Sequence, residues 1–306
     1  MTSSVDGIYS TGPVTVEVPA TSANLGPGFD CLGLALEVTD TLVAEVTADG
    51  IEVVVAGEGA EEVPLDESHL VVRSMQAAFA VLGVQPAGLR LSTTNRIPHG
   101  RGMGSSSAAI VGGVVLAREL VDGGRERLDD QAALALATRI EGHADNVGPA
   151  LLGGLVICGQ SGKDAWAVPA PLDTSISAVV FVPPGGVLTA VARSLLPAHL
   201  PFHEAVANTG RAALLVRALG GRPDLLLRAT EDFLHQVHRG PAMPESLALV
   251  TALRARGVAA VVSGAGPSVL ALTTSYDDQA TLLAAAPPGW RAFAQRVGGQ
   301  GARVLV

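Results

Sequence analysis

The chain has 306 residues, 48% of them hydrophobic, with 29 acidic against 20 basic side chains and a net charge of −9. That length suits about two domains with substantial cores, and the acidic balance without any dense basic run argues against a nucleic-acid partner. The longest apolar stretches, 108–117 and 147–158, run to about ten to twelve residues broken by glycine or proline, too short to cross a bilayer.

The start of the chain, residues 1–6, carries neither a basic region nor an apolar core, so no secretory signal is expected and the protein reads as cytoplasmic. Alternating apolar and β-branched residues predict strands over 14–19, 34–47 and 51–56. Between the first two lies Pro19-Ala20-Thr21-Ser22-Ala23-Asn24-Leu25-Gly26-Pro27-Gly28-Phe29-Asp30, a small-residue loop with one amide and one carboxylate. Read alone, an Asx-rich turn explains it better than the wall of a polar pocket. Cys31 follows, and with Cys158 it makes up the cysteine complement; both fit small core residues in a reducing compartment.

A helix is expected over 70–82, stopped by Gly83, then a strand over 89–93. The strand leads into Pro98-His99-Gly100-Arg101-Gly102-Met103-Gly104-Ser105-Ser106-Ser107-Ala108, which opens a helix over 105–120. Glycines at alternate positions let backbone N–H groups converge on phosphate oxygens, and the first amides of the helix favour negative charge. The serines are expected to cap those amides and to reach a metal. The segment is not a Walker A loop, which needs lysine directly after its last glycine. The chain's one lysine, Lys163, has no Ser or Thr after it, and Ile157 stands where the first glycine belongs. The same count removes the protein-kinase pattern, and the glycine spacing is wrong for a dinucleotide fold.

A further helix, capped at Asp129-Asp130, should run to about residue 141. Just past its end, Glu141-Gly142-His143-Ala144-Asp145-Asn146-Val147-Gly148-Pro149 packs two carboxylates, an imidazole and an amide into six residues. Phosphoryl transfer needs Mg2+ held by a carboxylate, a role that suits Glu141 with Ser106 completing the shell; a solvated helix end is the plain alternative. Short strands at 155–158 and 166–168 follow. The second half predicts a strand at 178–182, helices at 205–218, 223–234 and 244–256, strands at 259–263 and 269–273, a helix near 279–285 and a closing strand near 303. Gly264-Ala265-Gly266-Pro267 sits between two apolar strands, where a hairpin turn explains it and a second anion loop is the sharper alternative. Helices and strands mix without strict alternation, so the class is α+β, with a domain boundary near residue 165.

These pieces in this order resemble the GHMP kinases, with the homoserine-phosphorylating branch most similar. The three family motifs match residues 18–30, 98–108 and 263–272, and 141–146, 187–193 and 234–239 are also family-like. The resemblance implies a ribosomal-S5-like, ATP-binding domain over 1–165 and a ferredoxin-like domain over 166–306. It also implies a left-handed crossover beside the nucleotide loop, ATP and Mg2+ as cofactors, L-homoserine as the acceptor in threonine biosynthesis, and a homodimer. Carried over position by position, Asn24, Asp30, His143, Asp145, Thr189 and Gly264 face the acceptor, and Arg193 and Arg239 grip its carboxylate. A zwitterion needs such a cationic fork and an anion for its ammonium. Residues 98–108 hold the phosphates, Ser106 and Glu141 the metal, and 68–74 are candidates for adenine. Three departures stand out: Met103 replaces the usual leucine, Ala144 and Pro149 alter the middle motif, and Asn146 stands where some members have a general-base Asp. Direct attack by the substrate hydroxyl is therefore expected. A kinase for another small alcohol such as mevalonate, or a catalytically silent ligand sensor, are the alternatives.

Overall fold

The computed structural model describes residues 8–162 and 164–305; Lys163 and the segment 1–6 lie outside the described residues. In the first half, β1 (Val14–Asn24), β2 (Gly28–Thr47) and β3 (Gly50–Gly57) are followed by α1 (Leu70–Leu82), β4 (Gly88–Asn95) and α2 (Ser105–Leu120). Then come α3 (Gly124–Arg127), α4 (Asp130–Glu141), α5 (Ala144–Leu152), β5 (Leu155–Ser161) and β6 (Asp164–Ala170). The second half runs β7 (Ser177–Val182), α6 (Thr189–Ser194), α7 (Phe202–Leu219), α8 (Leu226–Ala229), α9 (Gln236–Arg239), α10 (Pro244–Ala255), β8 (Ala259–Val262), β9 (Val269–Thr273), α11 (Tyr276–Leu283), β10 (Arg291–Arg296) and β11 (Arg303–Leu305).

Seven strands form the first sheet in the order β11-β1-β2-β4-β3, with β5 and β6 extending from the first part of β2. The pair β3 and β4, joined through α1, is parallel. Two glycines in mid-α2 cost helix stability, roughly 1 kcal/mol each, and their use is packing. A Cβ at Gly112 would lie 2.1 Å from Leu42 Cδ1, and one at Gly113 2.6 Å from the carbonyl of Val71, so α2 lies unusually close to β2 and α1. This seats the start of α2 at the edge of the cleft described below.

The second sheet is antiparallel, in the order β10-β7-β9-β8. Strand β7 reads Ser177-Ala178-Val179-Val180-Phe181-Val182 because both its faces are covered. Ala178, Val180 and Val182 join the main core, while Val179 and Phe181 pack with Met243, Val250 and Leu253 under α10. This mixed architecture is the expected α+β class.

Three local expectations are corrected. Residues 144–152 are helical, where a polar loop beyond a helix end was expected. Pro149 inside α5 has no N–H, which frees the carbonyl of Asp145, and β2 approaches that carbonyl through Gly33, whose Cβ would lie 1.9 Å from it. The helix expected over 223–234 breaks after Ala229, because the Asp232 carboxylate accepts from the N–H groups of Leu234, His235 and Gln236 and starts α9 instead. The boundary near 165 falls inside β6, which pairs with β5 along 155–170, so the first sheet runs to Ala170 and regains residues 303–305 as β11.

Candidate active site

Between the two sheets a cleft is lined by residues from all the polar motifs. Its first wall is the turn after β1. Asn24, Leu25 and Asp30 are the described non-glycine residues with positive φ, at 68°, 53° and 55°. Such strain persists where surroundings over-determine it. Here the buried Asn24 side chain accepts from the N–H of Asp30 at 2.9 Å and donates to the carbonyl of Gly264 at 2.8 Å.

The second wall is the glycine loop. Gly104, with φ 69°, caps α2, and no side chain bonds the helix's first amides. The expected serine caps are thus overturned: Ser106 and Ser107 donate instead to Oε1 of Glu141, at 2.7 and 2.8 Å. The physical reason is that a glycine in the left-handed conformation turns the chain into the helix unaided, leaving the hydroxyls free to meet the carboxylate at the end of α4. The β8–β9 turn locks the loop from behind. Ser263 donates its hydroxyl to the carbonyl of Gly102 at 2.6 Å, and the N–H of Ser268 reaches the carbonyl of Arg101. A Cβ on Gly102 would lie 2.3 Å from the carbonyl oxygen of Ser263.

The third wall is the start of α5. His143 Nδ1 lies 2.8 Å from Oδ1 of the buried Asp145. Burial works against the imidazolium, but the Asp145 hydrogen bond and the charges of Asp145 and Glu141 outweigh it and raise the His143 pKa. Thr21 donates to Oδ1 of Asn146 at 2.7 Å, which leaves the amide's NH2 as the free end of Asn146.

The fourth wall carries cations. Arg193, on α6, makes a two-bond bridge to Asp30 at 3.0 and 2.7 Å, and that hydrogen bonding raises its pKa. Arg239, 2% exposed, has no acidic partner among the described ion pairs and bonds His235 Nδ1 and the carbonyl of Gly264. Its Nε is buried with no partner. Burial, then the like charge of Arg193, lowers its pKa. Both guanidiniums flank the Phe29 ring, at 5.6 and 5.2 Å from its centroid.

All eight residues expected to face the acceptor (Asn24, Asp30, His143, Asp145, Thr189, Arg193, Arg239 and Gly264) line this one cleft, with Glu141, Asn146 and Ser106. The phosphate-loop set divides. Gly100, Gly102, Gly104, Ser105 and Ser106 line the cleft, and His99 with the two serines lines an adjoining apolar pocket of about 750 Å³ that also takes in Ser68, His69, Leu70 and Val71. Pro98, Met103, Ser107 and Ala108 are buried and line neither. Arg101 turns away, donating to the carbonyls of His99, Pro183 and Pro184, because its guanidinium ties the loop to the β7–α6 connection. Residues not singled out from sequence also contribute. Thr21 orients Asn146, and Phe29 supports both arginines; an aromatic beside Asp30 in a chain only 3% aromatic was the available signal.

Comparison with known proteins bears on the family of the chain. Residues 69–154 match the family model described as the GHMP kinases N terminal domain, and 211–288 the GHMP kinases C terminal model. The chain is 54% identical to the homoserine kinase of Streptomyces avermitilis, covering 97% of each. It is also 54% identical to that of Streptomyces coelicolor, over 97% of this chain and 96% of the relative. Among solved structures, homoserine kinase from Cytophaga hutchinsonii superposes with a TM-score of 0.83 at 27% identity, covering 98% of this chain and all of that one. The chain belongs to the GHMP kinase family, among its homoserine kinases.

Proposed function

We propose that this chain transfers the terminal phosphoryl group of ATP to the hydroxyl of L-homoserine, giving O-phospho-L-homoserine. One observation carries the reading: a single cleft sets a glycine loop with open helix amides opposite a paired set of arginines and carboxylates that matches a zwitterion. Backbone amides of the loop hold the phosphates. The adjoining apolar pocket, at 68–71 and His99, takes the adenine. Arg193 and Arg239 hold the acceptor carboxylate, and Asp30 and Asp145 face its ammonium.

The donor set beside the loop suits Mg2+. Glu141 and the Ser106 hydroxyl are hard oxygen donors already in contact, and no cluster of three His, Cys, Asp or Glu side chains forms a closed cage among the described residues. An ion sharing its shell with phosphate and water fits such an open site. When bound, Mg2+ supplies charge neutralisation at the phosphates. Asn146, bonded by Thr21 at its oxygen, offers a donor and no proton acceptor, and Asp145 is engaged by His143. Positioning and charge stabilisation therefore carry the reaction, with the substrate hydroxyl attacking directly.

ADP release is the test, measured with homoserine, mevalonate, shikimate and no acceptor, with and without Mg2+. Homoserine turnover that needs Mg2+ is expected; no homoserine rate above the no-acceptor rate overturns the reading. Mevalonate has no ammonium to meet Asp30 and Asp145, and is expected to react poorly. A homodimer is proposed by analogy with the family, to be read by sedimentation. No helix among the described residues is long and apolar enough to cross a membrane, in keeping with the proposed cytoplasmic setting.

A further inference from the structure

The Asp30–Arg193 bridge spans the very part of the cleft where the acceptor's two charges would lie. It joins the group assigned to the ammonium to one of the groups assigned to the carboxylate, by two hydrogen bonds at 3.0 and 2.7 Å. The two ends are held differently. The backbone of Asp30 is held, with φ 55° and its N–H bound by the buried Asn24, although its side chain is 38% exposed. Arg193 reaches it from the six-residue helix α6, its side chain 39% exposed. Nearby, Arg239 is buried with its guanidinium over the same Phe29 ring and its Nε unpartnered.

We propose that this bridge is a charge gate that makes the site selective for zwitterions, an inference that rests on the function proposed above. Asp30 stands in for the substrate's carboxylate. A ligand with a carboxylate alone takes Arg193 and leaves the Asp30 carboxylate unpaired; a ligand with an ammonium alone takes Asp30 and strips Arg193. Each gains that second group only by breaking a bidentate, charge-assisted pair without replacing both halves, and otherwise is left with Arg239 or Asp145 alone. An α-amino acid replaces both at once: its carboxylate swings Arg193 towards Arg239, and its ammonium takes the released Asp30. Selection against the singly charged analogues thus comes from a repulsive element in the unliganded protein as well as from attraction to the substrate.

A gate and simple recognition differ in which carboxylate matters: Asp30 is bridged to Arg193, whereas Asp145 is also assigned to the ammonium but pairs with no arginine among the described ion pairs. Two analogues keep the primary hydroxyl and lose one charge: 4-hydroxybutanoate has no ammonium and 3-aminopropan-1-ol no carboxylate. Their dissociation constants, and that of homoserine, are to be measured calorimetrically on the full chain with a non-hydrolysable ATP analogue and Mg2+ present. In Asp30→Asn, a change asparagine accommodates at positive φ, 4-hydroxybutanoate should bind about fivefold tighter than to the wild type, the scale of one half-exposed ion pair. Homoserine should bind at least about tenfold weaker, having lost its ammonium partner. In Arg193→Met, 3-aminopropan-1-ol should gain by a similar factor while homoserine weakens. Relief of like-charge repulsion alone would tighten 4-hydroxybutanoate as much in Asp145→Asn as in Asp30→Asn, so equal gains in those two variants, or no gain for either analogue in Asp30→Asn and Arg193→Met, overturn the proposal. Retained binding of the ATP analogue and a single cooperative thermal transition show that each variant is folded. Failure of the kinase reading is separately visible, as absence of homoserine-dependent ADP release by the wild type.

Discussion

The two sides of the cleft are made of different material. The phosphate side is mostly backbone: glycines at φ 62°, 73° and 69°, open helix amides, and a turn that holds the carbonyls of Gly102 and Arg101 through the Ser263 hydroxyl and the Ser268 N–H. The acceptor side is side chain: Arg193 and Thr189 on a short helix, Arg239, Asp30 and the His143–Asp145 pair. A site read by amides tolerates changes in side-chain chemistry and fails when any Cβ intrudes; a site read by charged side chains is retuned by single substitutions. The common part of the reaction is thereby held in the rigid wall and the choice of acceptor in the adjustable one.

Gly102→Ala should break this contrast most severely. The new Cβ meets two carbonyl oxygens, Ser263 at 2.3 Å and Gly266 at 2.8 Å, at φ 73°. Thermal unfolding should show a loss of about 2–4 kcal/mol, and ATP titration a loss of affinity of more than about a hundredfold. Gly100→Ala, with φ 62° but nothing within 4 Å of its Cβ, should cost only about 1 kcal/mol. Glu141→Gln comes next, lowering kcat by about a hundredfold or more by removing the charged metal donor, with the folded state retained.

Asp40 tests the phosphate side from beneath. It is 4% exposed, and its Oδ1 accepts from the N–H groups of Arg96 and Ile97 just before the loop. Burial raises its pKa from 3.8 to about 6, so the fold favours the protonated form. The stabilisation is full below about pH 4 and is lost as pH rises through about 6, a difference of up to about 3 kcal/mol. Urea midpoints between pH 4 and 6.5 should fall more steeply in the wild type than in Asp40→Asn, which keeps an acceptor and loses the charge. On the acceptor side, Arg193→Lys should raise the homoserine KM about tenfold, since lysine cannot form the planar fork, and leave the ATP KM nearly unchanged. An equal loss for ATP would erase the distinction between the walls. Met103→Leu should matter least: the side chain is buried at 1% exposure, and a volume-conserving swap costs under about 1 kcal/mol.

How much of this was legible in the sequence follows the same division. The glycine-serine loop announces itself as an anion site, whereas the Asx-rich segment read alone is an ordinary turn; the eight scattered positions that line one cleft were named through the family resemblance. Helix α5 was not legible, since Gly148 and Pro149 are poor helix residues whose presence depends on tertiary packing. A Cβ at Gly148 would lie 2.7 Å from Sγ of Cys158, and Pro149 sits against the Gly33 position of β2. The destinations of side chains were equally hidden. Nothing local turns Ser106 and Ser107 to Glu141, or Arg101 to the carbonyls of Pro183 and Pro184 more than eighty positions away; only the assembled fold brings those partners near.

Strand β11 has a consequence for how the chain is made. Leu305, Val304 and Arg303 pair with Thr15, Val16 and Glu17, and Arg303 bonds Glu17 across 286 positions. During synthesis from the N-terminus, the outer edge of β1 stays unpaired while the entire second sheet emerges. Closing that edge is among the longest-range contacts the chain makes, and such contacts are slow to form. The first sheet is therefore finished last, and an uncovered β1 edge is the surface a nascent chain must shield from its neighbours.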